Sequence, residues 1–397
     1  MPSREQRLRR ALPDTALLGA AGSLLALGLV MVYSASAPLA AEEVGSSFHV
    51  VARQALYAAI GIAVAMGCAL IPPEGWRHLA PWVLLAGLVA LVLVLIPGVG
   101  VEVSGAHRWL ALGPFRVQVS EPFKVAFVLY LAGYMVRKGE ARLGTFTQGL
   151  LPILAIAGLS AGLLLVEPDF GGAAMVVGTG LVMGFLGGMR LRHLLAAGFA
   201  TLPFAAWAVF GSEYRYQRVV AFLDPWAHAQ DSGFQLRQSL IAFGRGEHTG
   251  VGLGDGIQKL FYLPEPHTDF IFAVIGEELG LIGALGVLAL YAVVVHRGFA
   301  IADRAPDAFS RLVAQGLTFI LGLQALAHMG VNLGLLPTKG LTLPLVSYGG
   351  SSLVTTLAAL GILASIDRHR QGAKAPAGGS GAPDPRRRTS ARAEAAP

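Results

Sequence analysis

Asp269, Glu277 and Glu278 are the residues most able to do chemistry, because they are carboxylates set where an apolar helix begins, in FYLPEPHTDFIFAVIGEELG from Phe261 to Gly280. A carboxylate in a first helical turn is favoured by the helix dipole and, at a membrane surface, stays within reach of water. Spacing alone leaves two readings of Asp269: a helix-capping acid, or a base that removes a proton from a bound hydroxyl. Glu277 and Glu278 fall about 12 and 13 Å further along the helix at its usual rise, inside the bilayer, where an unpaired charge is costly. At least one needs a partner, either a cation such as Arg53 or Lys124 or a cavity that relays protons.

Two other stretches mix cations with hydrogen-bonding groups. In GAHRWLALGPFRVQVSEPFK, Arg108, Arg116 and Lys124 suit a diphosphate, with Arg supplying bidentate contacts and Lys a point charge, while Trp109 and its basic neighbours equally suit an interfacial anchor. Further on, Arg215 and Gln217 within Tyr214 to Arg218, then Asp224, Gln235, Gln238, Arg245 and Lys259, form a third polar cluster. The run GVGLGDG has neither a preceding strand nor a βαβ unit, so its glycines point to a close-packed turn and to no nucleotide cofactor. His267 stands without a second nearby His and reads as a hydrogen-bonding neighbour of Asp269. HExxH, Walker and Ser-nucleophile patterns are missing, which removes support for ATP-driven transport and common hydrolases. Cys68 is the single cysteine, so an internal disulfide is impossible.

The elements that must position these groups are membrane helices. Apolar residues make up 54% of the chain and charged residues 14%, and mean hydropathy is +0.61. Several uncharged stretches reach the roughly 20 residues needed to cross a bilayer. Spans are expected near 15–35, 51–71, 80–97, 122–136, 148–166, 171–189, 193–210, 269–296, 312–333 and 347–366. This is an all-α, polytopic integral membrane protein of about ten transmembrane helices, with a large extracytoplasmic loop at 211–268 between the seventh and eighth. The net charge of +6 sits in alternate loops and at both ends, as in Arg137, Lys138, Arg190, Arg192, Arg297, Arg304 and Arg368, which places both termini in the cytoplasm and gives no case for nucleic acid. Residues 1–14 form a basic cytoplasmic segment, 15–370 the transmembrane domain and 371–397 a flexible cytoplasmic tail. The aromatic residues of 211–268 argue for a folded cap over the outer surface.

LPEPHTDFIFAVIGEELG, followed by NLGLLPTKGLTLPLVSYGGSS from Asn332 to Ser352, closely resembles the SEDS family (shape, elongation, division and sporulation) of cell-wall polymerases. MVYSAS, GAHRWLALGPF, EPDFGG from Glu167 to Gly172, YQRVVAFLDPW and QSLIAFGRGE extend the likeness over nearly the whole membrane region, and PTKGLTLPLVSYGG around Lys339 is similar to the division-associated branch. The chain departs from the family's usual pattern at Gln118 to Glu121 and at Pro266, which should stiffen the approach to Asp269.

The resemblance implies a peptidoglycan glycosyltransferase that polymerises lipid II on the outer face of the inner membrane, for septal wall synthesis in cell division. Asp269 aligns with the family's essential acid and becomes the expected general base. Lys124, Arg108, Lys259 and Lys339 are the expected clamp for the leaving diphosphate, and Glu121, Arg215, Gln217, Arg245, His267 and Ser347 complete the expected substrate-binding set. A divalent cation, Mg or Mn, would serve the same diphosphate. The expected partners are a class B penicillin-binding protein, which is a transpeptidase, and other divisome proteins. The competing readings are a lipid II flippase, for which Glu277 is the natural candidate, and a noncatalytic divisome scaffold.

Overall fold

A computed structural model describes residues 14–103, 106–113, 115–228, 233–260 and 262–373. The basic run before Asp14 and the tail after Ala373 lie outside the described residues. Helices occupy all ten expected spans: α1 (Thr15–Val44), α2 (His49–Leu70), α3 (Pro73–Val94), α4 (Ser120–Leu143), α5 (Leu151–Val166), α6 (Phe170–Leu186), α7 (Leu191–Phe210), α10 (Ile271–Asp303), α11 (Ala308–Asn332) and α12 (Gly350–Ala373). Eight are long and apolar enough to cross a membrane, α5 counting together with the turn Phe146–Leu150 that leads into it. The exceptions are α4, with charged residues towards both ends, and the 17-residue α6. The expected cap contains two further helices, α8 (Glu213–Leu223) and α9 (Phe234–Gly246).

Central to the bundle is α11, which packs on α10, α4, α6 and α12. The first helical hairpin closes against the last helix, where α2 and α12 approach so tightly that a Cβ on Gly361 would lie 2.3 Å from the Ala65 carbonyl oxygen. At one end of the bundle, Asp14 caps α1 by accepting from the Leu17 N–H at 3.0 Å and also accepts from Arg297 Nε at 2.9 Å. The Asp367 charge acts on that same guanidinium, so the starts of α1 and the ends of α10 and α12 share one face of the molecule.

Two features were not foreseen as such. Residues 100–118 form a three-stranded antiparallel sheet, β1 (Gly100–Val103), β2 (Ala106–Leu112) and β3 (Phe115–Gln118), with Val101 opposite Trp109 and Trp109 opposite Gln118. Its β-branched and aromatic residues suit a half-buried pleated surface, and the turn after β2 uses Gly113 at φ 62°. Its free edge is tied to the bundle by Ser351 of α12, whose hydroxyl accepts from the Gln118 N–H at 2.9 Å.

The second feature is a break in α10 at Gly280, which has φ 64°. Irregular backbone at membrane depth must find protein partners, and the loop after α9 supplies them. Val251 and Gly252 donate their N–H groups to the Glu277 and Glu278 carbonyls at 3.0 and 3.1 Å, while Leu281 and Ile282 donate to the Glu247 and His248 carbonyls at 2.9 and 3.1 Å. The loop lies so close that a Cβ on Gly250 would be 2.1 Å from the Glu278 carbonyl oxygen. A close-packed turn therefore accounts for this part of GVGLGDG.

Candidate active site

Asp269 lies two residues before α10 and does not cap it. The capping acceptor comes from α11, where Asn332 Oδ1 takes the Ala273 N–H at 3.1 Å. Among the described residues, no donor hydrogen-bonds the Asp269 carboxylate and no cation comes within ion-pair distance of it, so its lone pairs stay available. The residue is half-buried by area, yet burial of its carboxyl end, with help from the Glu265 charge, pushes its pKa up to about 7. The cations Arg218 and Arg108 act in the opposite direction.

Two elements bring those cations in, and a third segment carries Lys339, next in sequence to Gly340, which borders the acid. Arg108, on β2, is oriented by donating from Nε to the Glu167 carbonyl at 3.1 Å and from Nη2 to the Pro168 carbonyl at 2.6 Å. Arg218, on α8, donates to the Thr338 carbonyl at 3.1 Å, which ties the cap helix to the segment between α11 and α12. In that segment the Lys339 ammonium sits 4.7 Å from the centroid of the Phe170 ring. Burial lowers the Lys339 pKa, and the Asp169 charge opposes that shift. The neighbouring Gly340 leaves room beside the acid, since a Cβ there would be 3.4 Å from Asp269 Oδ2.

The other expected site residues divide between this centre and the scaffold. His267 is buried, packs against Tyr348 with the rings tilted by 58° and their centroids 5.4 Å apart, and has Nε2 3.9 Å from Glu265. Ser347 donates to the Thr268 carbonyl at 2.7 Å and accepts from the Leu343 N–H at 2.8 Å. Lys124 is buried between α4 and α11, donating to Glu121 at 2.9 Å and to Gln324 at 2.8 Å, and Gln324 in turn donates to the Thr342 carbonyl at 3.1 Å. Arg215 donates back to the Ala208 carbonyl at 2.6 Å, and the exposed Gln217 donates to Glu213 at 2.9 Å.

Lys259 and Arg245 belong to the helix break. Lys259 donates to Glu278 at 2.6 Å, to Ser34 of α1 at 2.8 Å and to the Gly254 carbonyl at 2.6 Å. Glu277 accepts the Ile257 and Gln258 N–H groups at 3.0 and 3.1 Å and lies 3.5 Å from Arg245. Arg53 and Lys124, the expected partners of these glutamates, are not the ones used. Lys124 is taken by Glu121 and Gln324, and nearer cations come from α9, which carries Arg245, and from the folded-back loop, which carries Lys259.

No group of three His, Cys, Asp or Glu side chains gathers at metal-binding spacing among the described residues.

Comparisons with known proteins identify the family and the fold. Residues 15–372 match the family profile described as cell cycle protein, FtsW/RodA/SpoVE. The chain belongs to this family. It is 51% identical over 363 residues to a probable peptidoglycan glycosyltransferase FtsW of Nitrosococcus halophilus, covering 89% of this chain and 92% of the relative. It is 46% identical over 364 residues to the equally named protein of Legionella pneumophila, covering 91% and 92%. A chain in a solved structure concerning the coordination of polymerization and crosslinking by a peptidoglycan synthase complex superposes with a TM-score of 0.76 at 33% identity, covering 90% of this chain and 98% of that one. The rod shape determining protein RodA of Thermus thermophilus gives 0.67 at 31% identity, covering 90% and 97%.

Within this FtsW/RodA/SpoVE fold, three residues gain importance that their types alone did not suggest. Arg218 was visible only as one member of a polar cluster. Asn332 closes an apolar helix, and a polar amide at such a place is the signal that could have drawn attention to it. Glu167 is fully buried with neither carboxylate oxygen hydrogen-bonded among the described residues, and burial together with Asp169 pushes its pKa up to about 8, against the pull of Arg108.

Proposed function

We propose that this chain is a peptidoglycan glycosyltransferase that joins lipid II units into glycan strands, with Asp269 as general base. The observation that carries this reading is the state of Asp269: a half-buried residue whose carboxylate meets no hydrogen-bond donor among the described residues, with a pKa of about 7, under the fields of Arg108 and Arg218. A sugar hydroxyl is a weak nucleophile, and a carboxylate of this basicity matches the task of taking its proton near neutral pH. The acceptor's 4-hydroxyl oxygen forms the new bond to the donor's anomeric carbon while its proton passes to Asp269. The bond from that carbon to the undecaprenyl diphosphate breaks, and the electron pair leaves on the diphosphate. Attack opposite the leaving group inverts an α-linked donor to a β-linkage. The leaving group is already a stable anion, so cations serve it better than an acid would, and Arg108, Arg218 and Lys339 are the groups at hand. A divalent ion enters this reading as a counter-ion of the diphosphate, held mainly by phosphate and water, and no step depends on it.

The names of the relatives support the substrate and the role in division. The solved complex supports a crosslinking partner, for which a class B penicillin-binding protein is the natural identity. The basic loops and tail support an inner-membrane setting with both termini in the cytoplasm, and septal placement follows from the division role. A flippase would need an acid whose charge can be released near the midplane, and Glu277 and Glu278 are instead held by backbone N–H groups and cations. A scaffold would leave Asp269 dispensable.

The test is polymerisation of labelled lipid II by the purified full chain with its crosslinking partner, beside Asp269→Asn. Glycan from the wild type alone, with the variant still folded and partner-bound, is the expected result. Equal product from both would remove Asp269 from the chemistry, and lipid II flipping without polymerisation would replace the reading altogether.

A further inference from the structure

Asp269 is held by something other than its own side chain, which makes no hydrogen bond among the described residues. Its backbone is held instead. Three consecutive carbonyls, those of His267, Thr268 and Asp269, each accept a hydrogen bond from outside the segment: from the Tyr348 N–H at 2.8 Å, the Ser347 hydroxyl at 2.7 Å and the Asn332 side-chain amide at 3.0 Å. The Thr268 carbonyl lies in the peptide plane before the Asp269 Cα, and the Asp269 carbonyl lies in the plane after it. Because peptide units are planar, pinning both carbonyls fixes φ and ψ of Asp269 and leaves only its side-chain torsions free.

The donors are themselves anchored. Asn332 is fully buried; its amide also donates to the His328 carbonyl at 3.0 Å, and its backbone carbonyl accepts from Ser239 of α9 at 2.7 Å. The backbone next to Ser347 is gripped by Gln54 of α2, which donates to the Ser347 carbonyl at 3.0 Å and accepts from the Gly349 N–H at 3.3 Å.

We infer that Asn332 and Ser347 are positioning residues for Asp269, holding the two peptide planes that flank it so that its carboxylate is aimed while remaining free of donors. This deepens the proposed reaction and rests on the reading of Asp269 as the base. It gives Ser347, expected to bind substrate, a different task. Fixing a base through its main chain suits the chemistry, because every donor placed on the carboxylate itself would lower its basicity. The cost of losing aim is large: misplacement by about 1 Å can reduce a rate about 100-fold.

The experiment uses the full chain with its partner and the variants Asn332→Ala, Ser347→Ala and Ser347→Thr, with Asp269→Asn as control. Steady-state polymerisation of lipid II is measured beside amide hydrogen exchange of the peptide spanning residues 262–272. Positioning predicts that kcat falls about 10- to 100-fold in both alanine variants, with KM for lipid II within about 3-fold of wild type. It also predicts recovery in Ser347→Thr, which keeps the hydroxyl, and faster exchange at Asp269 and its neighbours in both alanine variants. Unchanged kcat per folded molecule, or a rise in KM alone, would overturn the inference, the latter returning Ser347 to substrate contact. If Asp269→Asn proves as active as wild type, the base assignment fails. Exchange then decides the clamp by itself, with acceleration supporting it and an unaltered peptide overturning it.

Discussion

Two acidic places on one helix, the approach to α10 at Asp269 and the break at Glu277 and Glu278, are built in opposite ways. At the break, the carboxylates are completely buried and each oxygen is met by a cation, a hydroxyl or a backbone N–H. At the approach, the residue is half-buried and its carboxylate meets no donor among the described residues, while cations act on it from a distance. Donors make a carboxylate a weaker base and a firmer structural tie, and their absence does the reverse. The identity of the residue, Asp or Glu, says nothing about which use applies. The count of donors around it does.

The strongest way to break this comparison is to neutralise each acid and compare losses. Asp269→Asn should cut polymerisation by about 100- to 10,000-fold, the usual weight of a general base, while thermal unfolding of the purified protein stays close to wild type. Glu278→Ala should do the opposite. It strands Lys259 as a buried cation, which costs roughly 3–5 kcal/mol and should appear as low yield and a depressed unfolding temperature, with activity per folded molecule largely kept. A folded, stable Glu278→Ala protein without activity would dissolve the contrast.

A finer test uses pH. If Asp269 acts ionised, the rate should rise as pH climbs through about 7 and then level off. Arg218 and Arg108 lower that pKa, so Arg218→Ala should move the rising limb to higher pH, as read from initial rates across pH 5.5–9. The smallest effect is expected at Glu167. Its folded pKa of about 8 lies above the ordinary carboxylate value, so the folded state holds its proton across the range where the unfolded chain has released it. Stability should therefore decline as pH rises from the carboxylate range towards 8. Glu167→Gln, which stays neutral, should match wild type below about pH 4.5 and become the more stable of the two as pH rises, in unfolding temperatures measured over that range.

The helices were largely legible, because a membrane imposes long apolar runs and the ten runs fall on ten helices. The sheet at 100–118 was not, since its short alternating strands carry Trp109 and Arg116, residues that an interfacial anchor would also show. Asp269 could be located from its place at the end of a polar loop, but its spacing could not separate a cap from a base, because the decisive fact is that Asn332, 63 residues later, supplies the cap. Likewise, Lys259 and Arg245 looked like site cations from composition, and their true partners are set by the loop that folds back against the break at Gly280, which no local periodicity announces. Lys124 shows the same limit, since its acceptor Gln324 lies 200 residues away.

The contact between the first helices and the last has a consequence for how the molecule comes into being. As α2 packs along α12, and the start of α1 is bonded to the far end of α10, the helices made first must wait in the bilayer for those made last. Throughout that interval, Gln54 of α2 has neither Ser347 nor Gly349 to grip. Assembly of the centre around Asp269 is thus a late event in biosynthesis, and a ribosome stalled before residue 350 should release a chain that is inserted, helical and inert.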